Sequence, residues 1–60
     1  TSNHDALIGW NDYFNLGRAY ESQNRPQAAL EQYERALQLK PDAELLITLI
    51  GQQRERLGRE

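Results

Sequence analysis

The chain has 60 residues, a formal net charge of −2 and no cysteine. Below roughly 70 to 80 residues a single core rarely supplies more than about 3 to 5 kcal/mol, and no disulfide or thiolate metal site can add to it here. The acidic balance disfavours a concentrated basic face, and no run of about 20 apolar residues is present. We therefore expect neither nucleic-acid binding nor membrane insertion.

The first predicted element is a helix from about His4 or Asp5 to Gln23. The alternative is a disordered lead-in over residues 1–9, with the helix beginning near Trp10. One face of this helix carries residues that recur at intervals of three and four: Tyr13, Leu16, Gly17 and Tyr20. Since the opposite face is polar, the pattern indicates an amphipathic helix.

Two residues on this helix call for a physical reason. A glycine inside a helix costs about 1 kcal/mol relative to alanine, so Gly17 predicts a close approach of the second helix through Ala28 and Ala29. Phe14 stands roughly 100° around the helix from Tyr13. It is therefore either a shoulder of the core or an exposed anchor for a partner.

A turn and a second helix follow. Asn24 is predicted in the left-handed conformation that ends many helices, and Pro26 suits the first turn of the next one. The second helix is predicted from Pro26 to Leu39, because Pro41 cannot continue it. Its inward residues are predicted to be Ala29, Tyr33, Ala36 and Leu37, with Leu30 and Leu39 facing the following element. Two helices joined this closely form an antiparallel hairpin.

A third helix is predicted from about Ala43 to Leu57, with Asp42 as its N-cap. Its first turns are apolar on nearly every side, through Leu45, Leu46, Ile47, Leu49 and Ile50. Because a helix of that kind is expected to be buried, either a following helix or another molecule should cover the surface that the hairpin leaves open.

The chain repeats itself after 34 residues. The shift places Tyr13, Leu16, Gly17, Glu21, Asn24 and Arg25 onto Ile47, Ile50, Gly51, Glu55, Gly58 and Arg59. A period of this length indicates a helical repeat array. The first copy resembles the tetratricopeptide repeat through Trp10, Tyr13, Leu16, Gly17, Tyr20, Ala29, Tyr33, Ala36 and Pro41.

The resemblance implies a fold and its divisions. The fold expected is all-α, an antiparallel hairpin plus a third helix that starts the next repeat, as in a fragment of an α-solenoid. Residues 10–43 form one complete repeat, and residues 44–60 form either the first helix of a truncated repeat or a capping helix. Residues 1–9 lie outside as a lead-in or a helix extension.

The resemblance also implies a function, protein–protein interaction through a concave groove that holds a partner peptide or helix. The residues implied to line it are Asn11, Phe14, Arg18, Glu21, Ser22, Leu45, Thr48, Gln52, Glu55 and Arg56. A subgroup of the family clamps the C-terminal carboxylate of chaperones, but Phe14, Arg18 and Leu49 at the matching sites do not form that clamp. A partly apolar peptide or helix suits this groove better.

The residues suggest no enzyme. His4 is the only histidine, and no nucleophile, base and orienting group share a motif, so we expect no catalytic, metal or cofactor site. The alternative function is self-association as a homodimer through the third helix, at Leu45, Leu46, Leu49 and Ile50. Neither the partner nor the compartment is indicated by the sequence.

Overall fold

A computed structural model describes residues 9–58, which form three helices. They are α1 (Trp10–Ser22), α2 (Pro26–Leu39) and α3 (Glu44–Gly58). The middle helix packs against both of the others, and short turns make successive helices antiparallel neighbours. The predicted all-α architecture is confirmed, and the bounds of α2 are those predicted from its two prolines.

Helix α1 begins at Trp10 because the chain is extended at Gly9, where φ is −80° and ψ is 169°. The N–H of Gly9 bonds the Asp12 carboxylate at 3.2 Å, and the N–H of Asp12 bonds the Gly9 carbonyl at 3.1 Å. This reciprocal pair caps the helix start. The prediction of one continuous helix from His4 or Asp5 is therefore wrong, because the helix is interrupted at Gly9. The alternative prediction, a helix that begins near Trp10, is confirmed. Residues 1–8 lie outside the described part of the chain.

Helix α1 ends in a left-handed residue, as predicted. Asn24 has φ of 62°. The N–H of Arg25 bonds the carbonyl of Tyr20 at 3.0 Å, and the N–H of Asn24 bonds the carbonyl of Glu21 at 3.0 Å. These two bonds form a Schellman motif, which satisfies carbonyls at the helix end that would otherwise lack partners.

The core lies between α2 and its two neighbours. Its buried apolar residues are Ala29, Tyr33, Ala36, Ala43, Leu46, Leu49 and Ile50. The inward face predicted for α2 is thus confirmed at Ala29, Tyr33 and Ala36. Leu39, predicted to face the following element, is 50% exposed and lines a surface pocket with Tyr13 of α1.

The aromatic ring of Tyr33 packs directly against Gly17 and leaves no room for a side chain there. The close approach of Ala28 and Ala29 that the sequence predicted is not what requires a glycine at this position. A β-carbon built on Gly17 would lie 2.5 Å from Cε1 and 2.7 Å from Cδ1 of Tyr33. Real β-carbons do not approach other atoms so closely. The glycine therefore makes room for Tyr33, while Ala28 and Ala29 are not its nearest neighbours.

Helix α3 starts one residue later than predicted, and Asp42 does not cap it. The carbonyl of Ala43 accepts the N–H of Leu46 at 3.1 Å, which puts Ala43 at the N-cap position. The carboxylate of Asp42 instead lies 3.8 Å from Nζ of Lys40. Across residues 9–58, none of the helices has the length and apolarity needed to span a membrane.

Candidate functional site

The residues implied to line the groove come from α1 and α3, and the structure brings four of them together. These four, Arg18, Glu21, Ser22 and Arg56, line one shallow pocket. The others on the predicted groove are exposed, except Phe14, which is half-buried. Leu45 is the large apolar side chain on this face and is 53% exposed. The predicted groove therefore combines a charged end with an apolar patch.

Arg56 ties α3 to the end of α1. Its Nη1 atom lies 3.7 Å from Oε2 of Glu21 and 3.5 Å from Oε1 of Gln53. Its Nη2 atom donates a hydrogen bond to Oδ1 of Asn24 at 3.2 Å. The contacts of this guanidinium with Glu21 and Asn24 therefore link α3 to the end of α1 at this end of the groove.

Glu21 links the groove to the core. The hydroxyl of Tyr33 donates a hydrogen bond to Oε1 of Glu21 at 2.7 Å. Burial raises the pKa of the Tyr33 phenol, and the hydrogen bond to Glu21 raises it further. The phenol is therefore a proton donor at neutral pH, and Glu21 accepts it while facing Arg56 on its other oxygen.

Phe14 is a shoulder of the core, which decides between the two alternatives. Its ring centroid lies 5.9 Å from that of Trp10 and 6.3 Å from that of Tyr33. The guanidinium carbon of Arg18 stands 5.9 Å from the Phe14 centroid, within the range of a cation–π contact. The ring thus supports the core on one side and Arg18 on the other, and the guanidinium stays exposed.

Most of the residues predicted for self-association are buried in the core of this fold. Leu46, Leu49 and Ile50 are buried, because they face α2, and of the four only Leu45 is exposed. Ile47, which the set omitted, is 53% exposed. The three buried side chains cannot contact a second copy while this fold is intact.

Gln53 is the buried polar residue that the sequence interpretation missed. Its side chain is fully buried, and its Nε2 atom has no hydrogen-bond acceptor among the described residues. A signal was present, since Leu46, Ile50 and Gln53 follow one another at intervals of four and three. Because glutamine is polar, Gln53 was not recognised from the sequence as part of the inward face of α3.

Metal-ligand residues do not gather in the described part of the chain. Between residues 9 and 58 there is no group of three or more His, Cys, Asp or Glu placed to hold a metal ion. His4, the only histidine of the sequence, lies outside that part. The chemistry available on the predicted groove is ion pairing through Arg18 and apolar contact through Leu45.

Comparison with known proteins gives one finding. The family model described as tetratricopeptide repeat matches residues 11–43, more than half of the chain. The match begins at Asn11, one residue inside α1, and ends at Ala43, so it covers the α1–α2 hairpin except Trp10 and stops before α3. No curated protein and no solved structure gives a significant match.

Proposed function

The chain belongs to the tetratricopeptide repeat family, and from that premise we propose that it binds a partner peptide or helix across the predicted groove of α1 and α3. Repeats of this family generally mediate protein–protein interaction, and they typically do so as modules without catalysis. We extend this to the present chain and expect no enzymatic activity and no nucleic-acid partner. Beyond this general role, the proposal names the residues that contact the partner.

The observation that carries the proposal is that each helix of the predicted groove exposes a group suited to binding, a guanidinium at Arg18 on α1 and an apolar side chain at Leu45 on α3. Leu45 is 53% exposed and offers apolar surface to a partner. Arg18 is held over the Phe14 ring and needs to lose little side-chain freedom when it binds. A partner with an apolar residue and a carboxylate in an extended or helical segment fits both groups.

Glu21 and Arg56 have a supporting role in this proposal. Their charged groups lie 3.7 Å apart. Glu21 also accepts a hydrogen bond from the Tyr33 hydroxyl, and Arg56 also donates one to Asn24. Because both are engaged within the chain, we assign them to shaping the groove, and Arg18 and Leu45 to contacting the partner. Phe14 supports the core, so its replacement would not separate binding from folding.

The test uses a peptide selected from a random library on the full chain, measured by fluorescence anisotropy. Arg18→Ala and Leu45→Ala should each weaken its binding by about tenfold, equal to about 1.4 kcal/mol. Arg35→Ala and Leu39→Ala are the matched controls, since Arg35 is exposed on α2 and Leu39 is 50% exposed. Circular dichroism should show unchanged helicity in all four.

The outcomes separate cleanly. If Arg18→Ala and Leu45→Ala bind as tightly as the parent chain, the groove is not the binding surface. If the two controls lose as much affinity as the groove variants, the peptide binds elsewhere. Either result would overturn the assignment of the partner to this face.

Self-association is the second candidate, favoured by the two exposed side chains at the start of α3, Leu45 and Ile47. It predicts a stability that rises with protein concentration. Ile47→Glu is a better test than a change at Leu46, because Leu46 is fully buried. Sedimentation equilibrium should show a dimer that becomes a monomer in Ile47→Glu; a monomer at all concentrations in the parent chain removes this candidate.

A further inference from the structure

A continuous strip of aromatic and cationic side chains lies along α1 and reaches the end of α2. Trp10, Phe14 and Arg18 follow one another at intervals of four residues, so they share one side of α1. The ring centroids of Trp10 and Phe14 are 5.9 Å apart, and the guanidinium carbon of Arg18 lies 5.9 Å from the Phe14 centroid. At the other end, Nζ of Lys40 lies 5.8 Å from the Trp10 centroid. We name these four residues the cation–aromatic strip.

Both ends of the strip keep their charge available for a partner. Arg18 is exposed and makes no ion pair within residues 9–58. In the same part of the chain, Lys40 lies 3.8 Å from the carboxylate of Asp42, whose side chain is 85% exposed. An ion pair so long and so exposed contributes little. The ring beside each cation restricts its side chain without using its N–H donors, so each can pair with a carboxylate at a small entropic cost.

We propose that the cation–aromatic strip binds an extended acidic segment of a partner protein, with a side-chain carboxylate on each of the two cations and an apolar side chain over the rings between them. This inference rests on the proposed function, because Arg18 also belongs to the predicted groove. It adds the chemical class of the partner, and it brings Trp10 and Lys40 into the binding surface.

The length of the strip sets the spacing of the partner's side chains. Trp10 and Arg18 are separated by two turns of α1, which is about 12 Å along the helix axis. An extended chain rises about 3.3 Å per residue, so four residues cover about 13 Å. Side chains at the first, third and fifth positions of such a segment point the same way. The matching segment therefore has acidic residues at its first and fifth positions and an apolar residue at its third.

The width of the strip favours an extended segment over a helix. On one side the strip is bordered by Asn11 and Asn15, which are exposed and polar. On the other side Phe14 packs against Tyr33 of the core, with their ring centroids 6.3 Å apart. The apolar surface between the cations is therefore narrow. A partner helix would need a stripe at least about 100° wide, whereas an extended segment needs room for one apolar side chain.

The charge of the whole chain does not prevent this binding. The net charge is −2, which would repel an acidic segment at long range. At an ionic strength of about 0.1 M, exposed charges more than about 10 Å apart are largely screened. The two nearby cations therefore decide the interaction, and the affinity should fall as the salt concentration rises further.

The probe is a seven-residue peptide, acetylated and amidated, with glutamate at positions two and six, leucine at position four and serine elsewhere. Trp10 is the only tryptophan of the chain, so its fluorescence reports contact with the strip when the probe is titrated into the full chain. A control peptide has the same composition with its glutamates at positions two and three. It should bind at least about threefold less tightly, because only one carboxylate can reach a cation at a time.

The matched variants of the full chain are Lys40→Gln and Arg35→Gln. Lys40→Gln should weaken the probe by about threefold, whereas Arg35, an exposed cation of α2 outside the strip, should be replaced without effect. Two further peptides each carry glutamine in place of one glutamate. One of them should bind the parent chain and Lys40→Gln equally, and the other should bind the parent chain and Arg18→Gln equally, because the pair that each variant removes is already lost. Circular dichroism should show unchanged helicity in all variants.

Equal binding of the two glutamate spacings would overturn the proposal, and so would unchanged binding of the probe by Lys40→Gln. The peptide selected on the groove separates this inference from the proposed function. If that peptide needs Arg18 and Leu45 but not Lys40, the proposed function stands and this inference is wrong. If it needs none of the three, both are wrong. A selected peptide that becomes helical on binding, as seen by circular dichroism, would overturn the extended segment.

Discussion

Helices α1 and α3 are two copies of one sequence pattern, and they bury opposite sides of it. Gly17 is buried under the ring of Tyr33, whereas the equivalent Gly51 faces open space. The neighbouring positions show the reverse, since Leu16 is 43% exposed and the equivalent Ile50 is 7% exposed. The reason is that α2 packs against one side of α1 and the other side of α3.

The difference between α1 and α3 shows that equivalent positions of a repeat are buried only where another helix packs against them. Each first helix carries two faces that can accept another helix, and among the described residues only one face of each is covered. What decides burial is therefore the neighbour and not the residue type.

The largest loss of stability is expected on replacing Tyr33, whose ring packs over Gly17. Tyr33→Ala should lower the free energy of unfolding by about 3 to 5 kcal/mol, because it removes a fully buried aromatic side chain. A loss of that size equals the stability expected of so small a core. Thermal unfolding followed by circular dichroism should show no cooperative transition; a transition close to that of the parent chain would contradict the central place of this ring.

The equivalent pair Leu16 and Ile50 tests the asymmetry directly. Ile50→Ala should cost about 2 to 4 kcal/mol, since the side chain is buried against α2. Leu16→Ala should change stability by less than about 1 kcal/mol, because exposed positions tolerate truncation. Urea unfolding measures both. Equal losses at the two positions would mean that α1 is covered on the side where Leu16 lies.

Gln53 and its equivalent Ala19 provide a third comparison, since Gln53 is fully buried and Ala19 is exposed. Gln53→Leu should raise the free energy of unfolding by about 1 kcal/mol, because it removes a buried amide nitrogen that has no acceptor among the described residues. The weak 3.5 Å contact with Arg56 is lost in exchange. A fall in stability on urea unfolding would show that Gln53 makes a stronger contact than this geometry indicates.

The smallest effect concerns the bond between Tyr33 and Glu21. Tyr33→Phe should cost about 0.5 to 1.5 kcal/mol at neutral pH. The pKa of this phenol is higher in the folded chain than its ordinary value of about 10. Its contribution is therefore complete below about pH 10 and is lost as the pH rises further. Unfolding measured across alkaline pH should show a decline in the parent chain that Tyr33→Phe reduces; an equal decline in both would contradict it.

Much of the fold follows from local chemistry. Pro26 and Pro41 set the limits of α2, and Asn24 sets the end of α1, because each restricts its own backbone.

The spacing of three and four residues predicts the inward residues Ala29, Tyr33 and Ala36 of α2. The 34-residue period does not predict which side of α1 or α3 is covered, since Leu16 is 43% exposed and its equivalent Ile50 is 7% exposed. Neither pattern predicts which atom fills the space, so the ring of Tyr33 over Gly17 could only be seen in the packed structure.

The candidate site was less predictable for a related reason. The contacts of Arg56 with Glu21 and Asn24 depend on the distance between α1 and α3, which no local pattern encodes. Gln53 follows the inward spacing of α3, but a polar side chain at such a position is usually interpreted as surface. Gln53, and the contacts that Arg56 makes with Glu21 and Asn24, were missed because long-range packing, and not composition, decides the surroundings of these residues.

The most direct test of the account compares Gly17→Ala with Gly51→Ala in urea unfolding. The account predicts opposite signs. Gly17→Ala should destabilise the chain by about 1 to 3 kcal/mol, because its methyl group would meet the Tyr33 ring at 2.5 Å. Gly51→Ala should stabilise it by up to about 1 kcal/mol through helix propensity alone. Changes of the same sign would contradict the conclusion that one face of the repeat is sealed and its equivalent is open.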